Sequence, residues 1–244
     1  MQNIININGY NLYDNDIKNL TIDDSMHQLV INTINPNSYV LARSDVKFRK
    51  ALMNSDFLIM DGQYFVFAPL LLKFRWVKKI SGSMAMYHLL SLSNSKPLRV
   101  FFLGGSDVTL LKIKQRLKNE YPNIELCVFS PPFVNTFSET ESVKMRDVIN
   151  NFCPDILFVG LTAPKQEIWA NENYKHLNVK IICCVGAAFD WLANTRKQPG
   201  KIWVKFGLEW LHRTIHRPEI LKRYPDYLSF FFLVIWDSFK KNQN

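Results

Sequence analysis

The chain has 244 residues, room for one large domain with an appendage, and its 48% hydrophobic to 21% charged composition favours a packed core and excludes disorder. The net charge of +9 is uneven: from Arg196 onward ten Lys/Arg face four Asp/Glu, and such a patch seeks an anionic partner, whether nucleic acid, a membrane surface or phosphates. No run of about 20 apolar residues exists to span a bilayer, and Met1–Tyr10 lacks the basic start and apolar stretch of a secretory signal, so a cytoplasmic location is expected. Cys127, Cys153, Cys183 and Cys184 form no CxxC pair. They read as reduced, mostly buried thiols, with no ligand spacing for a metal.

The first 25 residues are polar and rich in Asn and Asp, as in an edge segment or a short hairpin. A regular alternation follows. Leu29–Ile31, Phe57–Met60, Val100–Leu103, Leu126–Phe129, Ile156–Val159 and Ile181–Val185 are apolar runs of strand length. Between them, Pro36–Asn54, Ser106–Tyr121, Glu139–Asn151 and Pro164–His176 have helical spacing, with Asn35 as a cap before Pro36. This order predicts an α/β fold with a Rossmann-like, mainly parallel sheet covered by helices on both faces. Ligands bind such sheets at the carboxyl ends of the strands.

The loops at those ends carry polar and glycine residues: Asp61-Gly62, Gly104-Gly105-Ser106-Asp107, Gly160-Leu161-Thr162, Pro164-Lys165-Gln166-Glu167, and Gly186 with Asp190. Glycine lets backbone N–H groups approach a phosphate, and a helix N-terminus favours its charge. A carboxylate such as Asp61 at a strand end can serve as a general base or as a simple turn cap. Lys78 and Lys79, before Ser81-Gly82-Ser83, can meet a diphosphate as point charges or stay solvated. Asp14-Asn15-Asp16 has the form of a metal-binding DxD, but no apolar strand precedes it. His212 and His216 have chelating spacing without a third ligand. In the tail, aromatics mix with Arg213, Arg217, Lys222 and Arg223, and the apolar run Leu228–Trp236 is too short to span. That mixture reads as a helix lying in a membrane interface or as a flank packed on the main domain.

Read together, the segments Pro164-Lys165-Gln166-Glu167, Gly186-Ala187-Ala188-Phe189-Asp190 and Gly207-Leu208-Glu209-Trp210 with Arg213 resemble the WecG/TagA/CpsF glycosyltransferases (glycosyltransferase family 26), in matching order from about Val30 to Tyr224. Thr33-Ile34-Asn35 and Asp61-Gly62 match two further family motifs. The resemblance implies an inverting, metal-independent transferase with no cofactor. It would move a sugar from a UDP-sugar to a polyprenyl-diphosphate-linked saccharide, with N-acetylmannosamine or its uronic acid as donor sugar and another UDP-hexose as the alternative. It makes Asp61 the base, with Gln166 and Lys79 as the other expected catalytic residues. Thr33, Asn35 and Gln166 would line the sugars, and Gly104, Gly105, Gly186 and Asp190 would lie near the nucleotide. Arg213 and Arg223, with Arg217 close by, would hold anionic diphosphate. Gly62, Gly160, Pro164 and Lys165 complete the expected substrate-binding set.

On this reading residues 1–195 form the core, and 196–244 form a basic, aromatic appendage that docks on the inner face of the cell membrane. A homo-oligomer is compatible with it, and no nucleic acid is expected. Three departures bear on the sugar: Lys79 stands where the family usually has arginine, Pro131-Pro132-Phe133 where it often has Gly-Tyr-Phe, and Ile220 where an appendage arginine would fall, with Arg217 and Lys222 close in sequence. A dinucleotide-dependent oxidoreductase is disfavoured, since Gly104-Gly105-Ser106-Asp107-Val108-Thr109 lacks the G-x-G-x-x-G spacing. A basic binding module would explain the tail but not the converging loops.

Overall fold

The computed structural model describes residues 4–20, 27–62, 65–195 and 224–241, with single positions at 200, 203 and 215. The polar start is a hairpin: β1 (Ile4–Ile7) and β2 (Tyr10–Tyr13) pair antiparallel. Asn8 and Gly9 turn it with φ of 51° and 95°, the left-handed pair that a two-residue hairpin requires. The hairpin extends the main sheet, because β2 runs parallel to β4 (Phe57–Met60) with Leu12 opposite Leu58.

The other strands are β3 (Leu29–Ile34), β5 (Arg99–Gly104), β6 (Glu125–Phe129), β7 (Ile156–Gly160) and β8 (Ile181–Cys184). They form one eight-stranded sheet in the order β1-β2-β4-β3-β8-β7-β5-β6. Every pair except β1–β2 is parallel. The central strands read as unbroken apolar runs because both of their faces are covered; all four residues of β4 and of β8 are buried.

One face carries α4 (Gly82–Ser95), α5 (Asp107–Glu120) and α8 (Ala188–Leu192), packed on Ile59, Phe102 and Phe158. The other carries α1 (Pro36–Ser44), α2 (Val46–Met53) and α3 (Phe67–Lys73) over one half of the sheet. Over the other half lie α6 (Glu139–Phe152) and α7 (Lys165–Asn173). The stretch expected as one helix from Pro36 to Asn54 is two, because the Asp45 carboxylate accepts the Phe48 N–H and starts a new helix. The stretch expected to run to His176 leaves α-helical geometry after Asn173 and ends in a 3₁₀ turn, Tyr174–His176.

A C-terminal helix, Tyr224–Lys241, packs on α1 and α3. Phe230 and Val234 are fully buried among Tyr39 and Phe65. Tyr39 donates its hydroxyl to Asp237 (2.8 Å), which also pairs with Arg43, and Asn8 Nδ2 donates to the Val234 carbonyl (2.8 Å). The two readings of this apolar run therefore divide by face: its inner side is core, while Leu228, Phe232, Trp236 and Phe239 on the outer side are exposed. No described helix is long and apolar enough to cross a membrane. The four thiols are free, but only Cys183 and Cys184 are buried. Cys127 is partly covered and Cys153 is exposed, because it closes α6 in a left-handed conformation at the surface.

Candidate active site

The parallel register brings the separate motifs to one edge. Thr33 lies opposite Ile59 and Ile34 opposite Met60, so the residues that follow β3 and β4 emerge side by side. The Asp61 N–H donates to the Ile34 carbonyl (2.8 Å), which holds Asp61 where the sheet ends. A Cβ built on Gly62 would lie 3.9 Å from the Asn35 Cβ. Asn35 caps α1 by accepting the Ser38 N–H at 2.9 Å, with Pro36 preset for the first helical turn.

From β4 the chain makes an excursion through α3 and returns to the same edge, where the Ile80 N–H donates to the Met60 carbonyl (3.0 Å). Ser81 then caps α4. A Cβ on Gly82 would stand 3.4 Å from both Thr33 Cγ2 and Val185 Cα, so this turn sits against β3 and β8 together. Beyond Val185, a Cβ on Gly186 would lie 3.6 Å from Gln166 Nε2. Asp61, Asn35, Thr33, the Lys79–Gly82 turn, Gly186 and Gln166 thus form one arc of neighbours across the carboxyl ends of β4, β3, β8 and β7.

Gln166 ends that arc in an unusual way. It is 3% exposed, its Nε2 donates to Glu167 Oε1 (2.8 Å), and its Oε1 has no partner among the described residues. Glu167 is 1% exposed with an equally unpartnered Oε2. Burial disfavours its ionised form and pushes its carboxyl up to about 7, against the smaller opposing pull of the Gln166 amide. Sequence reading took Glu167 only as part of a motif; its signal was a carboxylate beside Ile168 and Trp169 on a short helix.

The glycine loops have a packing explanation that sequence could not supply. A Cβ on Gly160 would fall 2.4 Å from the Phe189 ring, and one on Gly104, at φ 114°, 2.6 Å from the Gly160 carbonyl. These loops therefore close on one another around Phe189. A Cβ on Gly105 would lie 3.5 Å from the same ring, and Asp190 follows Phe189 on α8. Lys165 reaches toward the segment after β6, donating Nζ to the Val134 carbonyl (2.5 Å) with Phe137 beneath it at 4.7 Å. Pro164 precedes it at the start of α7 after a cis Ala163–Pro164 bond.

The Asp14-Asn15-Asp16 carboxylates take cationic partners: Asp14 pairs with Arg75 (2.6 Å) and Asp16 with Lys78 (3.7 Å). They pin the segment that carries Lys79. Lys78 pairs with Asp16 just beyond the hairpin, while half-buried Lys79 continues to the Ser81 turn. Among the described residues no group of His, Cys, Asp or Glu is arranged to hold a metal. Arg213, Arg217 and Arg223, with His212 and His216, lie outside the described residues.

Comparison with known proteins gives the same direction. The profile described as "Glycosyl transferase WecG/TagA/CpsF family" matches residues 6–244. A protein of Bacillus subtilis (strain 168) named N-acetylglucosaminyldiphosphoundecaprenol N-acetyl-beta-D-mannosaminyltransferase is 29% identical over 195 residues, 80% of this chain and 74% of that one. Proteins of the same name from Bacillus spizizenii (28%, covering 79% and 73%) and Staphylococcus aureus strain MRSA252 (28%, covering 82% and 77%) are also similar.

Proposed function

The chain belongs to the WecG/TagA/CpsF glycosyltransferase family, and from that premise we propose that it transfers N-acetylmannosamine, or its uronic acid, from UDP to an N-acetylglucosaminyl-diphosphate polyprenol, with inversion and without a metal. The observation that supports this reading is the arc itself: residues bearing a carboxylate, two amides and a hydroxyl, from distant segments, lie along one sheet edge. The similar proteins from Bacillus and Staphylococcus carry that acceptor and that sugar in their names.

On this reading Asp61 accepts the proton of the attacking acceptor hydroxyl. The hydroxyl oxygen forms the new bond to the anomeric carbon as the bond from that carbon to the UDP oxygen breaks, and UDP departs with the electron pair. Thr33 and Asn35 hold sugar hydroxyls beside it. The leaving diphosphate gains negative charge with no metal to meet it, so cations and oriented N–H groups must do so. Lys79, the first turn of α4 after Ser81, and the arginines of the basic tail are the groups proposed for that role. Lys79 offers charge without the planar fork of an arginine, which favours a more weakly held or differently oriented diphosphate.

The acceptor's lipid requires the enzyme to work at a membrane surface. Peripheral docking on the inner leaflet fits the +9 net charge and the exposed outer face of the C-terminal helix. Incubation of the purified chain with a panel of UDP-sugars and a polyprenyl-diphosphate-linked N-acetylglucosamine tests the reading. Transfer from UDP-N-acetylmannosamine with inverted anomeric configuration is the expected result. Efficient transfer only from another UDP-hexose would replace the donor, and none from any would overturn the proposal.

A further inference from the structure

The excursion between Asp61 and Ile80 leaves and rejoins the sheet at the proposed catalytic edge, and its far end is aromatic and bare. Phe74 is 92% exposed and Trp76 65% exposed, although both are large apolar side chains. Phe67 and Leu71, one helical turn apart on α3, are also exposed. Phe67 meets Trp76 edge-on at 6.3 Å, which joins the two ends of the segment, and Leu71 and Phe74 stand exposed between them in sequence.

This ring contact continues onto the C-terminal helix. The Phe67 and Phe231 rings lie 6.5 Å apart. The neighbouring residue, Phe232, stacks on Trp236 at 6.2 Å. Leu228, Phe232, Ile235, Trp236 and Phe239 recur at helical spacing along the exposed side. The result is an apolar face built from two separate parts of the chain, wider than the tail alone provides. Contiguous exposed apolar area of this kind marks an interaction surface.

Charge identifies the occupant. Within Lys73-Phe74-Arg75-Trp76-Val77-Lys78-Lys79, basic and apolar residues interleave. Arg75 and Lys78 remain 51% and 77% exposed even while paired to Asp14 and Asp16. Lys240 stands over the Trp236 ring at 5.6 Å. Aromatic side chains seated among cations suit the headgroup layer of an anionic bilayer, where rings enter the acyl boundary and cations remain at the phosphates. A second copy of this chain would bring the same cations together and is disfavoured.

We propose that the Phe67–Trp76 excursion is a second membrane contact, which seats with the C-terminal helix on an anionic bilayer and holds the Asp61 edge at the lipid surface. This rests on the lipid-linked acceptor of the proposed function. It adds that docking and the catalytic edge share one segment: the chain that carries Asp61 at one end and Lys79 at the other touches lipid in between.

The test pairs Phe74→Asn, an amide that tolerates the left-handed φ of 50° found there, with Trp76→Ser in the full chain. Both sites are exposed, so an unchanged melting temperature is expected. Flotation with mixed phosphatidylcholine–phosphatidylglycerol vesicles should fall by roughly tenfold, given the apolar area withdrawn from lipid. Transfer to a bilayer-embedded acceptor should fall by a similar factor, while transfer to a short-chain, water-soluble acceptor stays unchanged. Vesicle binding equal to that of the unaltered chain would overturn the proposal. So would a solution dimer that the substitutions convert to monomer, since a second copy would then be the occupant. Absence of transfer by the unaltered chain to either acceptor would overturn the functional reading alone, because flotation measures docking without turnover.

Discussion

Gln166 donates its side-chain amide to Glu167, the next residue in the chain, across 2.8 Å. Adjacent helical residues ordinarily point apart, so a bond between their side chains draws the Gln166 amide inward, under the Gly186 turn. The arrangement leaves a carboxyl buried with no cation against it among the described residues, beside the buried Cys184 thiol, whose own ionisation burial suppresses. Such a carboxyl binds its proton more tightly in the folded chain than in the unfolded one. Its contribution to stability is complete below the unfolded value of 4.5 and is lost as pH rises through about 7. Two and a half units correspond to about 3 kcal/mol. Glu167→Gln keeps the shape and an oxygen for the Gln166 amide but cannot ionise. Denaturant unfolding at about pH 5 and about pH 8 should therefore show the wild type losing about 2–3 kcal/mol more than the variant across that window, the remainder being lost below pH 5. Equal losses would mean that Glu167 stays ionised throughout.

Gly160→Ala tests the packing account of the glycine loops. The new methyl would overlap the Phe189 ring, since the Cβ would sit 2.4 Å from it. Phe189 is itself locked against Phe102 at 5.0 Å. Overpacking at such a site costs about 1–3 kcal/mol. Calorimetry should show a lower melting temperature that Phe189→Leu, added to Gly160→Ala, partly restores. If the single variant melts normally yet loses UDP binding, the glycine serves the nucleotide rather than Phe189.

The strands and their order of connection were legible because a sheet buried on both faces writes uninterrupted apolar runs, and Asn35-Pro36 and Ser106 announce helix starts by their side-chain chemistry. What hid was polar residues satisfied locally. The helix α4 carries Ser91, Ser93 and Ser95 among its apolar residues, and Ser93 is fully buried because its hydroxyl donates to the Leu89 carbonyl at 2.8 Å. That bond removes the need for solvent but blurs the apolar stripe. The short helix α3, with Pro69 inside it, offers too few turns for a period to be read. Asp61 and Asn35 were visible as loop residues, but their adjacency depends on β3 and β4 pairing in register. The reason for Gly160 lies in a ring contributed by a later strand–helix turn, a long-range contact that no local pattern encodes.

The C-terminal helix should prove thermodynamically part of the core. Phe230 is fully buried and meets Tyr39 edge-on at 5.4 Å, with Phe65 at 5.1 Å. Phe230→Ala should destabilise the chain by about 3–5 kcal/mol. Phe232→Ala, two residues on and 69% exposed, should stay within about 0.5 kcal/mol of the parent. Urea unfolding of both variants reads the difference. Similar stabilities would mean that the helix detaches in solution. The contrast also predicts that truncation after Thr195 weakens the core as well as removing the basic tail, so loss of activity in that fragment would not by itself locate a substrate contact.

Asp61→Asn is the direct test of the proposed base. The backbone N–H that ties residue 61 to Ile34 survives the substitution, so folding and the position of the turn should not change. An amide presents a similar outline to the acceptor but cannot take its proton. Removal of a general base typically lowers turnover by about 10²–10⁴-fold. The loss should fall on kcat, with KM for the donor and binding of UDP nearly as in the parent, because proton transfer belongs to the transition state rather than to donor binding. A Thr33→Val variant gives the contrast: it removes a hydroxyl proposed to hold a sugar, and should raise KM more than it lowers kcat. If Asp61→Asn turns over nearly normally, the carboxylate is a turn residue. If instead it raises KM and spares kcat, Asp61 grips substrate and the base lies elsewhere on the arc.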